Sequence, residues 1–467
     1  MNYGKMNIVS FIVILFCACW IQCYNSEKNY SLIPVNEYIH KDEDIGKPLF
    51  LTPFIKNGSL AEARAAARVT GEIFENVTSY TGFITVNTTY NKNLFVWFCN
   101  SESDSSTDPV ILWLQGGPGV SSLFGLFTEN GPFKLQKDFS IIKNEYSWSK
   151  KHNILYIDNP AGTGYSFTNS RGLDKDEGRI GEELFEAIQQ FFLLFPELRK
   201  NDFYVAGESY AGKYVPVIGY TILLKNTNLS DDLKINIKGL AIGNGITDPV
   251  NQLDLGEYAY QHGLVDLKTK QTMNKHKAKI TDYINLGQYG NATEENKLLI
   301  QTFENATGFT NLYNYLYPLL EDDETLVAEF VGRNDVRKAI HVGNLTVHSD
   351  DDVSNALHED IMKSVANLLP ALLENYRVLF YNGQLDVRLP YPCMVNYLQK
   401  LNFSAAEEYK NADRVIWYVN EKIAGYAKTA GNMTELLVRN AGHLVPTDQP
   451  EWAYDLIYRF TRNRSFN

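Results

Sequence analysis

Gly207–Glu208–Ser209–Tyr210–Ala211–Gly212 stands directly after the apolar run Phe203–Tyr204–Val205–Ala206, and no other stretch of the chain restricts the fold so tightly. The pair of segments reads as a buried strand breaking into a helix through a nucleophile elbow of the G-x-S-x-G type. In such an elbow, glycines let a strained turn project the serine from the sheet edge. Gly207 to Lys213 also spells G-x-x-x-x-G-K, but Tyr214 stands where a phosphate-binding loop needs the Ser or Thr that holds Mg²⁺.

The rest of the chain supplies the sheet that this strand needs. Pro109–Leu114 and Asn153–Asp158 are continuous apolar runs bounded by turn residues, and Leu240–Ile242, Arg377–Tyr381 and Val415–Tyr418 read the same way. Such runs suit strands buried on both faces, as in parallel sheets. Thr81–Thr89 and Leu94–Cys99 read as neighbouring strands, Ser59–Ala67 as a short helix, and Gly181–Phe195 turns helical in period. Strands alternating with helices predict an α/β fold with a mostly parallel central sheet. From about Pro249 to Pro370 no buried strand is legible, so residues 250–370 are expected to form a helical lid insertion over the carboxyl edge of the sheet. The charge run Lys268–Lys279 is expected to be a solvated helix face.

The N-terminus indicates destination. Lys5 precedes a mostly apolar run from Ile8 to Ile21 and polar sequence follows from Tyr24, the layout of a secretory signal peptide rather than a bilayer span. The expected organisation is therefore a signal peptide over 1–23 and one domain over 24–467, with no stable membrane insertion. Sequons at Asn29, Asn57, Asn76, Asn87, Asn228, Asn291, Asn305, Asn344, Asn402, Asn432 and Asn463 agree with a glycoprotein of the secretory pathway, either extracellular or in an acidic lysosome- or yolk-body-like compartment. Of five cysteines, only Cys99 and Cys393 lie well beyond that segment; one bridge and two buried thiols both remain open, and neither makes a disulfide scaffold. A formal net charge of −12 argues against a nucleic-acid partner.

A serine nucleophile needs a base, and the base needs an orienting carboxylate. In chain order after the serine come Asp386, just past the Arg377–Tyr381 run, and His443 in Asn440–Ala441–Gly442–His443–Leu444, the Ser, Asp, His order of α/β-hydrolases. His348 and His358 sit among acidic residues without metal-ligand spacing, and no metal or cofactor is expected. Gln115–Gly116–Gly117–Pro118–Gly119 follows another strand; Gly117, together with Tyr210 after the nucleophile, is assigned the amides of an oxyanion hole.

With these segments in place the chain resembles the serine carboxypeptidases, and within them the vitellogenic-carboxypeptidase-like branch. The resemblance rests on Trp113–Gly119, Phe127–Pro132, Asp158–Ser166, Gly207–Gly212, Gly243–Pro249, Tyr381–Asp386 and Gly442–Pro446, met in family order. It implies an α/β-hydrolase fold and removal of C-terminal residues from peptides and proteins at acidic pH. It also implies a site for the substrate's terminal carboxylate at Trp113, Gln115, Gly116, Glu129 and Glu208, where two close carboxyls share a proton. Leu444, where some relatives carry Glu, implies hydrophobic leaving residues, and Val120 replaces a cysteine that many relatives have. A monomer or homodimer is expected. Ester hydrolysis or acyl transfer by the same triad, and a non-catalytic glycoprotein, are the competing readings; the paired Glu129 and Glu208 favour the peptidase.

Overall fold

The computed structural model describes residues 44–71, 74, 77–169 and 171–467. The segment read as a signal peptide, Asn29 and Asn76 lie outside them.

Twelve strands are found among the described residues: β1 Ser79–Asn87, β2 Lys92–Cys99, β3 Val110–Leu114, β4 Phe133–Leu135, β5 Ile141–Lys143, β6 Asn153–Ile157, β7 Phe203–Glu208, β8 Ile237–Gly243, β9 Arg377–Gly383, β10 Val415–Val419, β11 Lys422–Ala430 and β12 Met433–Val438. Ten of them form one sheet in the order β1-β2-β6-β3-β7-β8-β9-β12-β11-β10, and β4 pairs with β5 apart from it. The six strands from β6 to β12 in that order run parallel; the hairpins at either end are antiparallel. This is the α/β-hydrolase architecture, with the mostly parallel sheet expected.

Every residue of β3 is buried, and successive ones enter different cores. Val110, Leu112 and Leu114 join one apolar cluster with helices α1 (Glu177–Leu194) and α2 (Ala211–Asn226). Ile111 and Trp113 join another with the C-terminal helix Pro450–Thr461. The period-two side-chain alternation of a strand thus feeds both covered faces. α1 begins four residues before the helical periodicity becomes legible, because Asp176 caps it by accepting from the Arg179 amide and its first turn is polar.

One strand differs from expectation. Val415–Tyr418 is not buried on both faces: β10 is the sheet's edge, with Ile416 and Tyr418 exposed by 43% and 47% while Trp417 is fully buried. Its apolar run belongs to a half-solvated antiparallel hairpin, which run length alone does not separate from a buried strand. Its partner β11 and the next strand inward, β12, were not read from the sequence.

Between Pro249 and Asn375 the regular elements are helices, including α3 (Leu267–Asn285), α4 (Tyr289–Thr307) and α5 (Asp323–Gly332). The Lys268–Lys279 run lies on α3, of which only Met273 and Ile280 are buried. A third cluster, holding Leu253, Leu255, Met273, Leu299 and Met362, packs this segment against Val387 of the main sheet's loops. Cys99 and Cys393 are buried and free. Asn57, Asn228, Asn291, Asn305, Asn344, Asn402, Asn432 and Asn463 are exposed and Asn87 is half-buried.

Candidate active site

Parallel strands place all their carboxyl ends along one edge, where ligand chemistry collects in open α/β sheets. Ser209 follows β7, Asp386 follows β9 by three residues, and His443 lies in the loop after β12. Ser209 has φ +60°, the left-handed strain that an elbow imposes. Its amide donates to the Gly243 carbonyl and its carbonyl accepts from the Ile246 amide, so the turn is pinned to the end of β8. One detail departs from the expected pattern: the glycine after the serine stands at 212, and position 211 is Ala211. Glycine is required one residue later because a Cβ on Gly212 would lie 2.6 Å from the Ile246 nitrogen.

Asp386 is fully buried and all its acceptor capacity is directed. Oδ1 accepts from the amides of Arg388 and Leu389 at 2.7 and 3.1 Å. Oδ2 accepts from the Asn244 amide at 2.7 Å and from His443 Nδ1 at 2.8 Å. That last bond fixes the imidazole tautomer and leaves Nε2 with its lone pair free. Nε2 is buried without a hydrogen-bond partner among the described residues, and His443 and Ser209 line the same cavity of about 140 Å³. Ser209 and His443 are thus brought together without a direct bond, the looser geometry that unliganded sites often show.

Two residues that support His443 escaped the sequence reading. Asn244 donates to Asp386 while its own Oδ1 accepts from the Gly383 amide at 3.2 Å; it lies in a segment quoted for the resemblance, but nothing in a lone Asn announces that role. Tyr313 stacks on the His443 ring at 4.7 Å and 13° and accepts the His443 amide on its carbonyl at 2.6 Å. It comes from the helical segment, more than a hundred residues away, so no local pattern points to it.

Gly116 and Gly117 sit against the elbow. A Cβ on Gly116 would be 2.6 Å from both Ser209 Cβ and the Tyr210 amide nitrogen, so only glycine allows this approach. Gly117 has φ +106°. Tyr210 is the N-cap residue of α2 and lines the cavity with Gly117.

Beside the serine lies a buried acid pair. Glu208 is the last residue of β7, and Glu129 ends a π-helical turn, Gly125–Glu129; they are 0% and 3% exposed. Gln115 Nε2 donates to Oε1 of both, at 2.8 Å to Glu208 and 3.1 Å to Glu129, while its Oε1 accepts from Trp113 Nε1 at 2.9 Å. The Gln115 amide is therefore spent on positioning the two carboxyls. Their Oε2 atoms have no hydrogen-bond partner among the described residues, and the two carboxyls lie close enough for each to shift the other's protonation. Two carboxyls in contact without a nearby cation cannot both ionise cheaply. Burial pushes Glu129 up to about 7, and burial with the neighbouring Glu129 pushes Glu208 well above the usual carboxylate range. Leu444 lines the cavity with Val120 and Phe124.

Comparison with known proteins gives the chain a family. The family model described as serine carboxypeptidase matches residues 70–463. The venom serine carboxypeptidase of Apis mellifera is 49% identical, over 91% of this chain and 93% of that protein. The vitellogenic carboxypeptidase of Aedes aegypti is 45% identical, over 89% and 90%. The probable serine carboxypeptidase CPVL of Homo sapiens is 39% identical, over 91% of each. Among solved structures, a prohormone-processing carboxypeptidase from Saccharomyces cerevisiae superposes with a TM-score of 0.77 at 24% identity, over 86% of this chain and 96% of that one, a likeness of fold.

Proposed function

Because this chain belongs to the serine carboxypeptidase family and is a serine-type peptidase, we propose that it works through Ser209, His443 and Asp386 on peptides whose free C-terminal carboxylate is held by the Glu129–Glu208 pair. The Ser209 hydroxyl attacks the carbonyl of the penultimate residue, and His443 Nε2 takes its proton. Asp386 holds the imidazole and stabilises the imidazolium. The amides of Gly117 and Tyr210 stabilise the oxyanion. The imidazolium protonates the departing amine, the C-terminal residue leaves, and water repeats the sequence on the acyl-enzyme.

The observation that carries the exopeptidase reading is the cation-free acid pair immediately before the nucleophile. With one proton retained, it donates a hydrogen bond to an incoming carboxylate; fully ionised, it repels it. Trp113 and Gln115 set the pair's geometry, and Gly116 leaves room beside it. The apolar wall of Leu444, Val120 and Phe124 favours release of Phe, Leu or Met over Lys or Arg. The charged start and apolar run at the N-terminus, read as a signal peptide over residues 1–23, and the exposed sequons support a glycosylated protein of the secretory pathway acting in an acidic compartment.

Release of Phe from an N-blocked dipeptide, as free acid and as C-terminal amide, is measured from pH 5 to 8. Free-acid hydrolysis is expected to fall as pH rises through about 7, while amide hydrolysis persists, because His443 must be unprotonated in both. Glu208→Gln raises KM for the acid and leaves the amide largely unaffected, and Ser209→Ala lowers both rates by about 10⁴-fold or more. Parallel profiles for acid and amide would refute the carboxyl pair as the terminal-carboxylate site, and full activity of the alanine variant would refute the nucleophile.

A further inference from the structure

The cavity has two walls. Leu444 and Val120 pack on the cluster that contains Phe124, Phe127 and Val445, and Thr447 Oγ1 donates to the Thr128 carbonyl, which fastens the loop after His443 to the turn carrying Glu129. This is the wall of the acid pair. The opposite wall is the helical segment's cluster, with Leu253, Leu255, Leu299 and Met362, and Val387 belongs to it. Arg388, next in sequence, lines the cavity on that side together with Leu299 and Ile300.

Arg388 is the only Lys or Arg among the described residues lining the cavity. Its backbone amide serves Asp386, but its guanidinium is exposed and held by no ion pair or side-chain hydrogen bond among the described residues. Glu304 of α4 feels its charge from beyond ion-pair range. Tyr313, flat on His443, feels Arg388 and Glu324 with opposite sign. Glu324 belongs to α5, the helix packed on Ser122–Phe124, and lines the same cavity without an ion pair to Arg388. Enclosure and nearby Asp350 push its carboxyl up to about 7, which leaves it largely neutral in acid.

A peptide with its terminal carboxylate on the acid pair places the leaving residue against Leu444. The acyl residue, joined to Ser209 Oγ, then takes the remainder of the cavity, which Arg388 also lines. We propose that Arg388 is a specificity residue that selects peptides with an acidic side chain at the penultimate position. The proposal rests on the terminal-carboxylate reading above, which fixes the direction of the peptide. An unpaired guanidinium presents a fork of donors matched to a carboxylate, and a cavity wall screens it less than open surface does.

The test is kcat/KM at pH 5.5 for N-blocked Glu-Phe, Gln-Phe and Lys-Phe, a pH at which a free glutamyl side chain, ordinarily titrating near about 4.3, is ionised. Glu-Phe is expected to be cleaved about tenfold faster than Gln-Phe, with Lys-Phe slowest. In Arg388→Met the Glu:Gln ratio falls to about one, and in Arg388→Lys most of the preference survives. On the unaltered chain, 0.5 M NaCl shrinks the ratio, which decides the matter should the Met variant not fold. A Glu:Gln ratio near one in the unaltered chain, a preference unchanged in Arg388→Met, or one indifferent to salt overturns the role of Arg388 and leaves the carboxypeptidase reading standing. Absence of Phe release from all three peptides overturns both.

Discussion

Two pairs of buried ionisable side chains each have one member within a few residues of Ser209, and burial has opposite outcomes in them. Glu129 and Glu208 face each other with no cation at hand, bridged by a neutral amide. Lys213, four residues after the serine, is fully buried, yet its Nζ meets Asp360 Oδ2 at 2.6 Å and also donates to the Asp360 carbonyl. The first pair answers desolvation by keeping a proton, the second by neutralising charge with charge. The difference is one of task. Lys213–Asp360 ties the helix behind the nucleophile to the helical segment and has no reason to titrate. The carboxyl pair keeps donor capacity for a substrate that brings its own negative charge.

That contrast is broken most forcefully at Lys213. Lys213→Met leaves the buried Asp360 with only the half-exposed Lys363, 3.2 Å from Oδ1, as counter-ion and is expected to cost about 3 kcal/mol of stability. The double variant Lys213→Met/Asp360→Leu is expected to recover most of it, since an apolar replacement of both partners is often neutral. Guanidinium denaturation at pH 5.5 measures both. A single-variant cost under about 1 kcal/mol would place the pair with weak surface bridges and erase its difference from the carboxyl pair.

The carboxyl pair is expected to show its difference in pH dependence rather than in magnitude. Both groups titrate above the ordinary Glu range in the folded chain. Their contribution to stability is therefore fully present below about pH 4.3, the unfolded value, and is lost as pH rises through the folded values. Glu208→Gln cannot ionise, so it should match the unaltered chain near pH 4.5 and exceed its stability by about 1–2 kcal/mol at pH 8. Buried Glu177 and Asp158, pushed up to about 7 and about 6, add the same slope to both proteins and cancel in the difference. A gap that is constant across pH would mean that the two carboxyls do not share a proton.

The same contrast shows what a sequence can disclose. The elbow, the buried parallel strands and the order Ser209, Asp386, His443 were legible because each rests on a local pattern, whether an apolar run, a glycine turn or a strand end. Glu129 and Glu208 were reached only through resemblance to a family, and their shared contact with Gln115 lies in tertiary structure. Lys213 was legible only as part of a failed phosphate-loop pattern; its partner is 147 positions away. Tyr313 and Asn244 support His443 and Asp386 from separate segments, and no spacing encodes that. Val415–Tyr418 misled because apolar runs do not say whether a strand has one neighbour or two.

The smallest expected effect probes how finely the acid pair is tuned. Asp448 Oδ2 accepts from the Gly442 amide at 2.6 Å and from Asn314 Nδ2 at 3.0 Å, which holds the glycine before His443. Its negative charge is also among the influences that raise Glu129, after burial. Asp448→Asn retains an oxygen for the Gly442 amide, so the loop should keep its place while the charge is gone. Glu129 then gives up its proton at slightly lower pH. The ratio of kcat/KM for a free-acid peptide to that for its C-terminal amide cancels the contribution of His443, which both substrates require. The midpoint of the fall in this ratio is expected to move toward acid by about 0.3 pH unit, the size of a partly screened interaction through the protein. A shift toward alkaline pH would contradict the sign of the interaction. An unchanged midpoint would mean that the pair is insulated from its surroundings and set by burial and mutual contact alone.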